Sequence, residues 1–225
     1  MMNRKLIVFD WNGTLLSDTM ASWKAANICL EYYGGKATTL ARYRETFTFP
    51  VIHYYHLNGI DTDTVLARRE EAYTAFQNAY EQFAANARTR RGARALLEWL
   101  GHNGIDAMIL SNYVTHKIEE QLARLKIRSF FKHVSGHEDG THILQNTSKQ
   151  QRLSDYLKAH GYAPRDAVII GDSMEEPEIA RHLGLTSVGI TDGYISEKRL
   201  RAAQPDHIID ALPEMADLLK KKWSL

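Results

Sequence analysis

The pattern of apolar and polar positions opens on an unbroken run, Leu6, Ile7, Val8 and Phe9, inside residues 5–16, KLIVFDWNGTLL. A short run without alternation suits a strand covered on both faces, as in a parallel sheet with helices above and below. It halts at Asp10. Gly13 then permits a tight turn, so the Asp10 carboxylate and the backbone amides after it should converge just past the strand's C-terminal end. Residues 17–87 carry no strand pattern. Helices are expected over 18–33 with Gly34 and Gly35 as the stop, over 40–46, from Pro50 to 56 ended by Asn58 and Gly59, and from an Asp61 cap to about residue 86. Alternation resumes at Arg91. Helices over 92–102, 115–125, 150–160, 178–183 and 212–221 are interleaved with apolar strands at 106–110, 133–136, 167–170 and 187–190, with a polar loop through residue 147. Such a succession predicts an α/β fold built on a parallel sheet with right-handed crossovers, and the all-helical block reads as an insertion that closes over the sheet.

Composition narrows the field of partners. The chain has 225 residues, 44% hydrophobic and 24% charged, enough for a substantial core and a smaller appended unit. A formal net charge of +1 gives no strong field toward nucleic acid or an anionic membrane, so an anion must be recognised by a local site. Cys29 is the single cysteine, cannot form an internal disulfide and reads as a core thiol. No signal-peptide pattern and no membrane-length apolar run is present, so the sequence predicts a cytoplasmic protein.

The chemistry gathers at strand ends. One predicted strand ends in Asp10, a second in Ser111 and Asn112, a third in Gly171 and Asp172, and Lys149 stands just ahead of the helix preceding the third. Parallel strands put their C-terminal ends on one edge, so these groups can share a crevice. Facing carboxylates repel unless a hard dication lies between them, and Mg²⁺ accepts a few oxygens plus water and substrate phosphate. Ser111, Asn112 and Lys149 supply donors suited to phosphate oxygens.

In these motifs the chain resembles the haloacid dehalogenase superfamily, in particular its phosphoglycolate-phosphatase-like branch. The DxDGT motif appears as Asp10, Trp11, Asn12, Gly13 and Thr14. The Ser or Thr that ends a strand matches Ser111, followed by Asn112; the lysine before a helix matches Lys149; and the acidic fourth motif matches Gly171, Asp172 and Ser173. The resemblance implies a Rossmann-like core from residues 1–16 and 88–225 with an α-helical cap over 17–87. It further implies phosphoryl transfer to Asp10 as nucleophile and hydrolysis of the resulting aspartyl phosphate. Mg²⁺ would be held by the Asp10 carboxylate, the Asn12 carbonyl and Asp172, and Ser111, Asn112 and Lys149 would bind the equatorial oxygens. The implied partner is a small phosphorylated metabolite, with no nucleic acid or membrane involved.

Two departures matter. Where the family's phosphatases carry an Asp that protonates the leaving group and then activates water, this chain has Asn12, and losing a general acid and base costs about 10²–10⁴ in rate. Three readings of Asn12 stand open: a natural variant that is slow or draws its acid and base from His53, Tyr54 or His56 of the cap; an engineered substitution; or a protein that binds phosphorylated ligands without turnover. The related branch that cleaves phosphorus–carbon bonds relies on a cap lysine, and residues 38–87 contain none. The dehalogenase branch places an aromatic residue at this position, so Asn12 gives it no support. In the fourth motif Glu176 stands where a second Asp is usual, and its longer side chain could reach the metal through water.

Other clusters read as structural. Gly136 to His142 has ligand residue types without a metal-ligand spacing and reads as a solvated loop. Arg88, Arg90, Arg91 and Arg94 read as an exposed helix entry, and Lys220, Lys221 and Lys222 as complements to the last helix's negative end. Tyr73, Phe76, Tyr80 and Phe83 have helical spacing and read as cap core. Substrate choice should lie in the cap near residues 44–50, where Arg44 could pair with a substrate carboxylate.

Overall fold

β1 (Leu6–Phe9) lies inside a six-stranded sheet completed by β2 (Asp106–Val114), β3 (His133–His137), β4 (Ala167–Gly171), β5 (Thr186–Ile190) and β6 (His207–Ile209). The structure is a computed structural model and describes residues 4–138 and 149–225. The spatial order is β3-β2-β1-β4-β5-β6 and every pairing is parallel. β1 pairs on both sides, Phe9 with Ile109 of β2 and with Ile170 of β4. The strand order reverses direction of growth at β1, so the crevice expected of such sheets opens over the ends of β1 and β4.

Helices α1 (Thr19–Tyr32), α2 (Leu40–Thr46), α3 (Ile52–Leu57), α4 (Thr62–Ala67) and α5 (Arg69–Ala84) form the insertion after β1, and α6 (Ala93–His102) leads back to β2. Beyond β2 come α7 (Thr115–Leu125), α8 (Lys149–His160), α9 (Glu175–Leu183), α10 (Glu197–Ala202) and α11 (Glu214–Trp223).

All four β1 side chains are buried, and their alternation feeds two cores. Ile7 and Phe9 pack with Leu96 and Leu97 of α6, Ile118 and Leu122 of α7 and Leu219 of α11. Leu6 and Val8 face the other way, onto Leu153 and Leu157 of α8 and Ile179 of α9. Each such side chain contributes roughly 1.5–3 kcal/mol through burial, which is why an unbroken apolar run signals a strand of this kind. A third cluster joins Cys29, Tyr43, Tyr54 and Val65 of the insertion to Tyr194, Ile195 and Leu200, so the helical unit is packed onto the sheet unit by apolar contact.

Several elements differ from expectation. The long helix from Asp61 breaks at Arg68, whose φ of −120° leaves the helical region; its guanidinium lies over the Tyr32 ring at 4.0 Å and donates to the Tyr32 carbonyl. β2 continues past Leu110 to Val114, so Ser111 and Asn112 lie within the strand's extension, where its pairing with β3 is irregular. α10 and the three-residue edge strand β6 are additional, and the last helix starts at Glu214 and runs to Trp223. The polar loop through residue 147 falls outside the described residues except at its start. Of the Gly136 to His142 run only residues 136–138 are described; His137 is buried. Among the described residues no helix is long and apolar enough to cross a membrane.

Candidate active site

Asp10 follows β1 directly, and its backbone N–H donates to the Ile170 carbonyl of β4 at 2.9 Å, so the sheet's own ladder fixes where the carboxylate emerges. Asp172 follows β4 directly. Thr14 Oγ1 donates to its Oδ1 at 2.7 Å, and the Tyr194 N–H donates to its Oδ2 at 2.6 Å. Gly13 lies against this carboxylate with φ of 75°, and a Cβ there would collide with it, so glycine is required both for the turn and for the approach. Asp10, Asn12, Ser111, Asn112, Lys149 and Asp172 line one cavity between the sheet edge and the helical insertion.

Lys149, the first residue of α8, points its ammonium into this crevice and is 2% exposed. Nζ lies 2.9 Å from Asp10 Oδ1 and 2.7 Å from Glu176 Oε1. Burial works against its charge, but the carboxylates of Asp10, Glu176 and Glu175 hold its pKa above the ordinary lysine value. Both oxygens of Glu176 are engaged: Lys149 holds Oε1, and Ser173 Oγ donates to Oε2 at 2.7 Å. Burial would raise the Glu176 pKa, and the Lys149 ammonium more than offsets it, keeping this carboxyl ionised below its usual range. Glu176 thus contacts the lysine directly and lies close enough to Asp10 and Asp172 to raise both their carboxyls.

The Lys149 ammonium is approached by the carboxylates of Asp10, Glu176 and Glu175 at 2.9, 2.7 and 3.6 Å, and Asp172 is buried in the same crevice. One ammonium does not balance these carboxylates, and a dication would offset part of the excess. Their cost is visible in the carboxyls themselves. Burial, reinforced by Glu176 and Asp172, raises the Asp10 pKa well above the usual range against the pull of Lys149, and burial pushes Asp172 up to about 6. Two carboxylates with a neighbouring backbone carbonyl are a donor set that fits Mg²⁺, which takes its remaining ligands from water and phosphate.

Ser111 Oγ accepts the Tyr113 N–H at 3.0 Å, leaving its hydroxyl proton free to meet a phosphate oxygen. The Asn112 amide donates instead to Glu175 Oε2 at 2.6 Å. Glu175 also approaches Lys149 at 3.6 Å, so a carboxylate already stands on two groups suited to phosphate. Arg152 props the crevice wall from behind, donating to the Ser111 carbonyl at 2.8 Å.

Sequence reasoning did not find the group that controls Asn12. Asp18, buried just before α1, receives Gly13 N–H on Oδ1 at 2.7 Å, and on Oδ2 the Asn12 amide at 2.8 Å, the Tyr80 hydroxyl at 2.6 Å and the Tyr194 hydroxyl at 2.8 Å. The Asn12 amide also donates to the Tyr80 oxygen at 2.8 Å, so both its protons are committed and only Oδ1 is left. Burial raises the pKa of Asp18, and its donors oppose that; burial and the adjacent Asp18 charge keep Tyr80 and Tyr194 protonated. A helix-start acid was the only trace of Asp18 in the sequence, since its phenol partners lie far along the chain.

Other expectations are redistributed. His53 and His56 are exposed and do not line the cavity, while Tyr54 does. Arg44 is turned away from it, donating to the Gly193 carbonyl at 3.1 Å and the Asp192 carbonyl at 3.0 Å, which ties the insertion to the loop after β5. Arg90 is not an exposed helix entry: it is half-buried and donates to the Gly13 and Thr191 carbonyls at 2.9 and 2.8 Å, bracing the loop after β1. The aromatic stripe on α5 divides, with Tyr80 buried, Tyr73 and Phe76 on the cavity wall and Phe83 40% exposed.

Known proteins share this arrangement of chain. Residues 7–190 match the haloacid dehalogenase-like hydrolase family. A phosphoglycolate phosphatase of Pseudomonas putida is 26% identical over 212 residues, covering 92% of this chain and 77% of that protein. One from Synechococcus elongatus is 27% identical over 207 residues, covering 91% and 92%. In fold, a haloacid dehalogenase-like hydrolase from Streptococcus pneumoniae superposes with a TM-score of 0.71 at 22% identity, covering 97% of this chain and all of that one. With the family's match spanning both motif-bearing strands β1 and β4, the chain belongs to the haloacid dehalogenase-like hydrolases.

Proposed function

We propose that the protein is a Mg²⁺-dependent phosphatase acting on a small phosphorylated metabolite, with residues 1–16 and 88–225 as catalytic core and 17–87 as the cap. The observation that carries this reading is the meeting of Asp10, Asp172 and Lys149 in one buried crevice at the C-terminal edge of adjacent strands. Asp10 attacks phosphorus, forming the aspartyl phosphate as the ester P–O bond breaks, and the leaving group departs as an alkoxide that takes its proton from water. Lys149 and Ser111 bind the oxygens on which charge spreads, and Asn112 joins them once its amide leaves Glu175. Asp10, Asp172 and the Asn12 carbonyl would hold Mg²⁺, which would supply positive charge to offset the approach of one anion to another. Water then cleaves the acyl phosphate and frees Asp10. Glu176 acts through Lys149, fixing the ammonium between itself and the nucleophile.

A second reading is favoured by one observation. The Asn12 amide is locked onto Asp18 and Tyr80, so position 12 can neither give nor take a proton, which suits a protein that binds a phosphorylated ligand without turnover. A panel of phosphomonoesters with Mg²⁺ separates the two. Phosphate release that disappears in Asp10→Asn supports the enzyme; ligand binding with no release above background supports the binder. The relatives' named activity makes 2-phosphoglycolate the first member of that panel.

A further inference from the structure

The cavity above the crevice has two unlike ends. At the bottom stand Asp10, Lys149 and Asp172; away from them the wall is made of Tyr33, Phe49, Val51, Tyr73, Phe76 and Tyr113, among others. Several polar groups on the cavity wall are already committed. Asn12, Tyr80 and Tyr194 donate to Asp18, and the Tyr113 hydroxyl donates to Gln77 Oε1 at 3.2 Å. Beyond the crevice, among the described residues, the one charged residue lining the cavity is Arg69, an exposed side chain at the start of α5, where water screens its charge.

A substrate carboxylate one or two carbons from phosphorus would fall at the join between the two ends. There Asn12, Tyr80 and Tyr194 are committed to Asp18, and it would lie beside the Asp10 and Asp172 carboxylates, with the Tyr54 hydroxyl and the Gln77 amide as the wall donors left to it, so most of its desolvation would go uncompensated. An apolar body at the same place would instead be removed from water against aromatic walls, with Phe76 and Tyr80 already stacked at 5.8 Å and 7°.

We propose that the substrate is the phosphate ester of an uncharged, largely apolar alcohol bearing a ring or a body of similar bulk, and that short carboxylated esters are poor substrates. This rests on the phosphatase reading above and names the substrate class of the same site.

The test uses the full chain with Mg²⁺ and three esters of primary alcohols, so that differences in leaving-group chemistry stay small: 2-phenylethyl phosphate, ethyl phosphate and 2-phosphoglycolate. Expected is a kcat/KM for the phenylethyl ester at least about 10-fold above each of the others, the scale of burying one ring. Phe76→Ala should shrink the phenylethyl-to-ethyl ratio several-fold, with a thermal melt showing that the variant is folded; if it is not, the ratio in the unaltered protein decides alone. Equal or faster turnover of 2-phosphoglycolate overturns the proposal while leaving the phosphatase reading intact. If no ester is cleaved in an Asp10-dependent way, the phosphatase reading falls. The pocket is then judged by calorimetry with the matched phosphonates: tighter binding of 3-phenylpropylphosphonate than of 3-phosphonopropionate upholds the apolar preference, and the reverse order overturns it.

Discussion

The Asn12 side-chain amide lies 2.8 Å from Asp18 Oδ2, and this contact fixes the residue two beyond Asp10 as a spent donor. Placing an aspartate at position 12 would set a second carboxyl against the first. Two such groups share a proton rather than both ionise. The Asn12→Asp protein is therefore expected to carry the missing acid already protonated near neutrality. Turnover of alkyl phosphates should rise at least about 10-fold, with the gain fading as pH climbs and the shared proton is lost. A pH–rate profile of both proteins checks this; no gain at any pH would mean that proton transfer at position 12 is not what limits the reaction.

Without a proton donor at position 12, the unaltered protein must expel its alcohol as an alkoxide or phenoxide. Rates across a series of aryl and alkyl phosphates should fall steeply as the leaving group's pKa rises, spanning on the order of 10²–10⁴, and Asn12→Asp should flatten the slope. A slope equally shallow in both proteins would point to another acid within the cavity.

Mg²⁺ should leave a pH signature on stability. Asp172 titrates at about 6 in the folded protein without metal, above its unfolded value, so its ionisation opposes folding. Its contribution is most favourable below the unfolded pKa and is lost as pH rises through about 6. Metal that binds the ionised form reverses this. Melting curves should show Mg²⁺ raising Tm at about pH 7.5 and leaving it nearly unchanged at about pH 5, where protons compete for the same oxygens. A Tm indifferent to Mg²⁺ at both values would remove the dication from the site.

Lys149→Met takes the one buried ammonium from among Asp10, Glu176 and the nearby Glu175. Breaking a buried ion pair on one side costs about 3–5 kcal/mol, so the variant should melt well below the parent and lose phosphate binding as well as turnover. Chemical denaturation with and without inorganic phosphate measures both effects.

Glu176→Gln separates a lysine-orienting role from a metal ligand. The amide can still accept from Lys149 but carries no charge, so kcat should drop while the Mg²⁺ concentration for half-activation stays within about 3-fold of the parent's. A shift of 10-fold or more in the Mg²⁺ requirement would return Glu176 to the metal.

The sheet was readable because strands covered on both faces appear as unbroken apolar runs, as at Leu6 to Phe9 and Ala167 to Ile170. β6 escaped notice for the opposite reason: three residues at an edge, starting at exposed His207, carry too little apolar pattern. The helix break at Arg68 depends on Tyr32, which lies on another helix, and local spacing cannot announce it. Within the site, Asp10, Ser111, Lys149 and Asp172 were found because each closes a recognisable local pattern. Asp18 and Arg90 were not, since their roles exist only through partners such as Tyr194 and Thr191 that folding brings from far along the chain.

The alternation of β1 between its two cores carries one more meaning. Sliding this strand by a single residue would bury what should face the other layer and would turn the Asp10 side chain to the wrong side of the pleat. Register errors and misaimed chemistry are thus the same event. Native packing at Phe9 therefore reports the strand register on which the emergence of the Asp10 carboxylate depends.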